Sequence, residues 1–304
     1  MINNSLGANE YSVSEKRRTV WNIEIELLKR FIKACEENGL NYFLIGGTAI
    51  GAVRHKVFIP WDDDFDIGML RADFEKFLEV ADKYFGGDFV VQYGVQKNCV
   101  ATFMRIRDIN STAIIRNQKT MNTDHGVFIE IYPFDKVPAN RLMRKIQWKI
   151  SASFIDVLQK RYIDKHLGPI AQIIDCFYAN KPTSEVFRAW NNVCTFFNKY
   201  HMKKVDTVSI PIYSSSEVDF YDEKDVIQTQ MTEFEDFVVR IPIGNDRCLR
   251  KTYGDYMKLP PVEQRGMHHS RDIFYDPYHP YSYYMKKCDI VDAFFSGEND
   301  DGLL

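Results

Sequence analysis

GGTAIGAVRHKVFIPWDDDFDIG, residues 46–68, places a Gly-Gly-Thr turn, a basic triplet and four aspartates within one short stretch. The apolar run Tyr42–Ile45 ahead of it reads as a strand ending at the turn. Thr48–Arg54 reads as a helix opening from the turn, and Phe65–Met69 as the next strand. Gly46 and Gly47 allow positive φ and close backbone approach, and backbone N–H groups in such a turn can cradle phosphate oxygens. Thr48 can cap the helix or donate to a phosphate. Side chains at i and i+2 of a strand share a face, so Asp64 and Asp66 project together while Phe65 and Ile67 turn to the core. Asp62 joins them if the strand begins early, and Asp63 faces away. Two carboxylates this close repel each other, and a hard divalent cation, Mg²⁺ or Mn²⁺, removes that cost. Arg54 suits a bidentate phosphate clamp, and His55 and Lys56 can neutralise charge on a departing phosphate. Turn, acids and bases together are the parts of a metal-dependent phosphoryl or nucleotidyl transfer site.

Outward from this stretch the pattern alternates. Val20, Ile23, Leu27, Leu28, Phe31, Ile32 and Cys35 recur at helical spacing, and Asn38-Gly39 suits a left-handed cap. A second amphipathic helix is predicted over Ala72–Tyr84. Strands are predicted at Phe89–Gln92, Thr102–Arg107, Ala113–Arg116 and Val127–Tyr132. The class is α+β, a small mixed sheet flanked by helices. A third carboxylate comes from GVFIEIYPFD, where Glu130 sits inside an otherwise apolar strand. A charge there faces either a site, as metal ligand or general base, or an arginine partner such as Arg105 or Arg107. Asp135 reads as a turn residue.

After Pro138 the chain reads as helical over 140–202, with breaks at Gly168-Pro169 and Lys181-Pro182, and then returns to strand and loop. The expected organisation is a catalytic core over 15–138, a helical accessory region over 139–230, and a segment over 231–295 that completes core and site. Residues 1–14 read as a flexible lead and the acidic tail SGENDDGLL as disordered. Residues 141–165 combine seven Lys and Arg with a row of Leu, Ile and Phe. That pattern suits either a core-facing helix or a peripheral contact with an anionic membrane.

The 304 residues carry a formal net charge of −3, which gives no overall attraction to nucleic acid. The six cysteines form no C-x-x-C pair and read as reduced, mostly buried thiols. No apolar h-region opens the sequence and no run reaches the length of a membrane span. The expectation is a soluble cytoplasmic protein, peripheral at the inner membrane face if 141–165 docks there.

The block GGTAIGAVRHKVFIPWDDDFDIGM resembles the LicD family of phosphocholine transferases, which also includes fukutin-related proteins. GVFIEIYPFD and FEDFVVRIPIGNDRCLRKTYGDYMKLPP support the resemblance, so it extends over residues 46–261. It implies a nucleotidyltransferase-like fold, Asp64 and Asp66 as the metal-binding pair, and a CDP-alcohol donor. The alcohol phosphate, phosphocholine for example, would pass to a hydroxyl of a glycan or its lipid-linked precursor. Many members have Asp where this chain has Glu130, which reaches about one methylene further. Within this reading Gly46, Gly47, Thr48 and Arg54 steady the donor phosphates, and His55 and Lys56 either join them or lie on the surface. Tyr253-Gly254-Asp255-Tyr256, Arg265, His268 and His269 either close the site or serve as ordinary packing and surface. The tyrosines at 275–284 suit either an aromatic cage for a quaternary ammonium or a packing collar. The rival readings are a nucleotidyltransferase, a D-x-D glycosyltransferase using a nucleotide sugar, and a non-catalytic metal-binding module.

Overall fold

The computed structural model describes residues 13–62, 64–121, 123–210, 221–261, 265, 272–300 and 302–303. Helix α1 (Glu15–Glu37) begins where Ser14 Oγ accepts from Arg17 N at 3.0 Å, satisfying an orphan donor of the first turn. Its stripe of Val20, Leu27, Leu28, Phe31 and Cys35 is buried, and Gly39 leaves it with φ +64°. Strand β1 (Phe43–Leu44) leads into α2 (Gly46–Ile50), which continues as a π-helical turn over Gly51–His55. Strand β2 (Asp66–Leu70) and helix α3 (Arg71–Tyr84) follow.

The central sheet adds β3 (Phe89–Val95), β4 (Val100–Asp108) and β6 (Val127–Val137), in the order β1-β2-β6-β4-β3. β2 and β6 run parallel and the other pairings are antiparallel, so the sheet is mixed and the class is α+β. Period-2 alternation sends Phe65, Ile67, Met69, Met104, Ile106, Ile129 and Ile131 to one face, where they share a buried cluster with α1 and α3. The opposite face carries Asp66, Glu130, Arg105 and Gln92 as register partners across β2, β6, β4 and β3. Strand β5 (Thr112–Ile115) does not join this sheet; it pairs instead with β11 (Ile273–Asp276).

β6 runs past the expected end, which corrects the reading of Asp135. Asp135 lies inside the strand, fully buried, with Arg71 Nε at 2.8 Å and Arg71 Nη2 at 2.5 Å. Asn198 Nδ2 donates to the same carboxylate at 2.6 Å. The ion pair and amide satisfy a charge that the apolar surroundings would otherwise exclude.

Helices α4 (Arg141–Lys160), α5 (Pro169–Tyr178) and α6 (Thr183–Thr195) enclose a second cluster around Trp148, Val157, Leu158, Val186 and Trp190. Val137 at the end of β6 belongs to that cluster, and Phe187 meets Tyr93 of β3 edge-on at 5.7 Å. Strands β7 (Lys204–Asp206) and β8 (Tyr221–Asp222) extend β6, and α7 (Glu223–Val226) follows. The hairpin of β9 (Thr229–Phe234) and β10 (Phe237–Pro242) returns Phe234, Val239 and Ile241 to the main core. Helix α8 (Asn245–Tyr253) brings the chain back to the glycine turn, and α9 (Tyr281–Tyr284) and α10 (Cys288–Ser296) pack beside β11.

The tail packs beside β11 where it is described, a contact that its composition does not announce. Gly302 is buried and its carbonyl accepts from Tyr275 N at 3.1 Å. At the other end residues 1–12 lie outside the described residues, whereas Ser14 is fixed as a helix cap. Four cysteines are buried, Cys176 and Cys288 are exposed, and all six are free.

Candidate active site

Asp66 and Glu130 meet where β2 pairs with β6. Glu130 N donates to Phe65 O at 2.9 Å, so the pairing begins just before the regular strand. Asp66 stands opposite Glu130 in the parallel register, Asp64 precedes it by two residues, and Phe65 and Ile67 point into the core. Parallel strands place register partners on one face, which brings Asp66 and Glu130 together. Asp63 lies outside the described residues.

Glu130 is buried and both of its oxygens are engaged. Oε1 accepts from Arg105 Nε at 2.7 Å, and Oε2 accepts from the Tyr132 hydroxyl. Arg105 lies over Phe103 at 4.5 Å and Phe128 at 5.2 Å, so aromatic faces share its charge. Arg107, the other candidate partner, serves Gln92 Oε1 and Gly126 O, each at 2.7 Å. Burial, with Arg105 nearby, pulls Arg107 down to about 9. Tyr132 is a site residue that the sequence reading missed. Its phenol is raised well above the ordinary tyrosine range, by burial first and then by the charges of Asp66, Glu130 and Asp64. Its hydroxyl donates to Glu130 and feels the charge of all three acids. Its signal was available, because it follows Glu130 by two residues on the same strand face.

The glycine turn is built around these acids. Gly46 has φ +59°, where a side chain is strained, and a Cβ there would stand 3.0 Å from Asp66 Oδ2. A Cβ on Gly47 would stand 2.5 Å from Asp62 Oδ2. Asp62 thus reaches the turn from the loop and not from the strand. Its carbonyl accepts from Arg17 Nη1 at 2.9 Å, which ties the loop to α1. Thr48 is buried and its hydroxyl accepts from Asp66 N at 2.9 Å, locking turn and strand together. Tyr253 borders the turn, with its hydroxyl 3.8 Å from the Gly46 Cβ position. Arg265 lies over Trp61 at 5.2 Å, so it also borders the acidic stretch. His268 and His269 lie outside the described residues.

The basic triplet does not line up with the acids as a phosphate clamp. Arg54 is buried; its Nη1 donates to Tyr256 O at 2.5 Å and to Lys258 O at 3.2 Å, and its Nε to His55 Nδ1 at 3.3 Å. It fastens the segment after α8. His55 is buried and pushed down to about 4, by desolvation first and then by Arg54. Lys56 is exposed in the left-handed region and donates to Thr232 Oγ1 of β9 at 3.1 Å. The tyrosines at 275–284 disperse as well. Tyr275 is buried, Tyr284 donates to Asp276 at 2.5 Å, Tyr283 stacks on His279 at 4.5 Å, and Tyr281 meets His125 at 4.4 Å. Rings with such different neighbours form packing contacts, not a cage.

The donor set suits a hard cation. Asp66 and Asp62 bring carboxylate oxygens against the turn, 3.0 and 2.5 Å from where a Cβ on Gly46 and Gly47 would stand, and Asp64 lies two residues from Asp66. Among the described residues no three His, Cys, Asp or Glu gather closely enough to hold a metal, and Glu130 is held by Arg105 and Tyr132 instead. Two carboxylates leave coordination positions for water and substrate phosphate, which is how Mg²⁺ is usually bound.

Residues 39–173 match the family described as LicD/FKTN/FKRP, nucleotidyltransferase domain. The relatives that this sequence matches include phosphotransferases. Over residues 39–173 the chain is similar to the LicD family. It is 28% identical to the lipopolysaccharide cholinephosphotransferase LicD of Haemophilus influenzae over 263 residues, 82% of this chain and 94% of that protein. It is 26% identical to the mouse ribitol 5-phosphate transferase FKRP over 125 residues, 40% of this chain and 22% of that protein. The mannosyltransferase regulator 4 of Saccharomyces cerevisiae is 18% identical over 251 residues, 80% of this chain and 21% of that protein.

Proposed function

We propose that the protein transfers a phospho-alcohol from a CDP-alcohol to a hydroxyl of a cell-surface glycan or its lipid-linked precursor. The observation that carries this reading is the meeting of Asp66 with Glu130 across parallel strands, beside the Gly46–Gly47 turn. The relatives that handle cholinephosphate and ribitol 5-phosphate support the substrate class.

Asp64 and Asp66 would hold Mg²⁺ or Mn²⁺, which when bound neutralises charge on the donor diphosphate. The N–H groups of the glycine turn approach the phosphates, because no Cβ stands in the way. Glu130 takes the proton of the acceptor hydroxyl, and Arg105 and Tyr132 fix the orientation of its carboxylate. The acceptor oxygen bonds to the phosphorus that carries the alcohol. The bond from that phosphorus to the bridging oxygen breaks, and CMP leaves with the electron pair.

Incubating the protein with a panel of CDP-alcohols, Mg²⁺ and a glycan acceptor tests this. CMP and a phosphodiester on the acceptor are the expected products. Release of pyrophosphate would mean nucleotidyl transfer, and release of a nucleoside diphosphate would mean glycosyl transfer.

A further inference from the structure

Helix α4 carries an apolar face that the fold leaves open. Leu142, Met143 and Ile146 are 68%, 49% and 51% exposed, and Phe196, from the turn after α6, is 48% exposed. Between them lies a groove of about 450 Å³ whose walls are almost wholly apolar, formed by Met143, Ile146, Ile150, Val193, Phe196 and Phe197. Soluble surfaces rarely leave such residues contiguous without a use.

Positive charge surrounds the groove. Arg141, Lys145, Lys149, Lys199 and Lys203 are exposed, and Lys199 lies over the Phe196 ring at 4.8 Å. Neither 141–155 nor 186–205 contains an Asp or Glu, in a chain where acids outnumber Lys and Arg by 42 to 39. Lys145 and Lys149 make no ion pair with any described residue. The rest of the basic stretch is otherwise engaged. Arg144 is buried and donates to Pro138 O at 2.9 Å, Lys160 pairs with Asp175 at 2.6 Å, and Lys165 pairs with Asp156 at 2.9 Å. The surface is therefore not the helix 141–165 as a whole. It is the first half of α4 together with residues 196–203.

We infer that this surface docks on a membrane of anionic lipids, with the apolar side chains at the acyl boundary and the lysines among the headgroups. Among the described residues no helix is long and apolar enough to cross a membrane, so the contact is peripheral. Charge decides the occupant, because the groove alone would equally suit a protein helix. The inference stands apart from the donor chemistry.

The test is co-sedimentation of the full chain with vesicles of phosphatidylglycerol and phosphatidylcholine, against vesicles of phosphatidylcholine alone. Binding should require the anionic lipid and weaken with salt. The pair Lys145→Gln and Lys149→Gln should lower partitioning by about fivefold per lysine. Ile146→Ser should lower it severalfold as well. All variants should release CMP from a soluble donor at the wild-type rate. Equal binding to neutral vesicles, or variants that bind like wild type, would overturn the inference. So would a dimer that Ile146→Ser dissolves while vesicle binding is absent, because the face would then belong to a second copy. Loss of CMP release in the wild type speaks only to the proposed reaction.

Discussion

Asp66 stands opposite Glu130 in the strand register, and the charge of Asp64, two residues ahead, reaches Tyr132 beside them. Asp64→Asn or Asp66→Asn should reduce turnover by at least about 10²-fold at saturating Mg²⁺, the scale of losing one preorganised electrostatic group. The fold should persist, because Phe65 and Ile67 hold the strand from the other side. Near-normal kcat in either variant would remove the pair from the site. Glu130 is a double case, since its partner Arg105 is itself largely buried. Glu130→Gln leaves that guanidinium without its counter-charge and should cost about 3–5 kcal/mol of stability. If the same carboxylate takes the acceptor proton, turnover of the folded fraction should also fall by roughly 10²–10⁴-fold. Melting temperature and kcat measured on one preparation separate the two roles. A destabilised variant with full turnover would leave Glu130 purely structural.

At the level of elements, the glycine turn and the strand after it were legible, because a period of two and a Gly-Gly pair both act locally. The fate of Arg54 and His55 was not. They lie in a π-helical turn, closed by Lys56 N donating to Gly51 O at 2.9 Å. One extra residue per turn rotates every later side chain about the axis, and no hydrophobic pattern announces it. The rotation buries both side chains and sets Arg54 against the backbone after α8. Arg54→Met should therefore lower stability by about 2 kcal/mol or more, on the scale of hydrogen bonds to a charged group. The KM for the donor should move little when measured on the folded fraction. A large rise in KM at unchanged stability would restore the phosphate-clamp role. Asp135 escaped for a related reason. Its neutraliser, Arg71, is 64 residues away, and distant pairing leaves no trace in a window of a few residues.

For the whole molecule, two buried histidines set an acid limit. His55 and His125 are each pushed down to about 4, chiefly by burial, whereas an unfolded histidine titrates near 6.5. The unfolded chain therefore binds more protons below that value. The stability in question is complete above about pH 6.5 and is lost as pH falls toward 4. The two shifts act in the same direction, so their losses add over that window. Urea midpoints at successive pH values should fall across it, and His125→Asn should flatten the fall; an unchanged slope in the variant would refute the assignment. The breaks at Pro138 and Gly168-Pro169 were readable, and they fall where β6 ends and where α5 begins. What those breaks hide is how firmly the parts are joined. β6 carries Glu130 near its start, Asp135 in the grip of Arg71 and Asn198, and Val137 in the helical core. At about 3.3 Å per residue, some 23 Å of continuous strand separates Glu130 from Val137. Such a strand works as a strut. Through Val137 the helical core grips the same strand that presents Glu130, so a shift of that core along the strand would be felt at the acids.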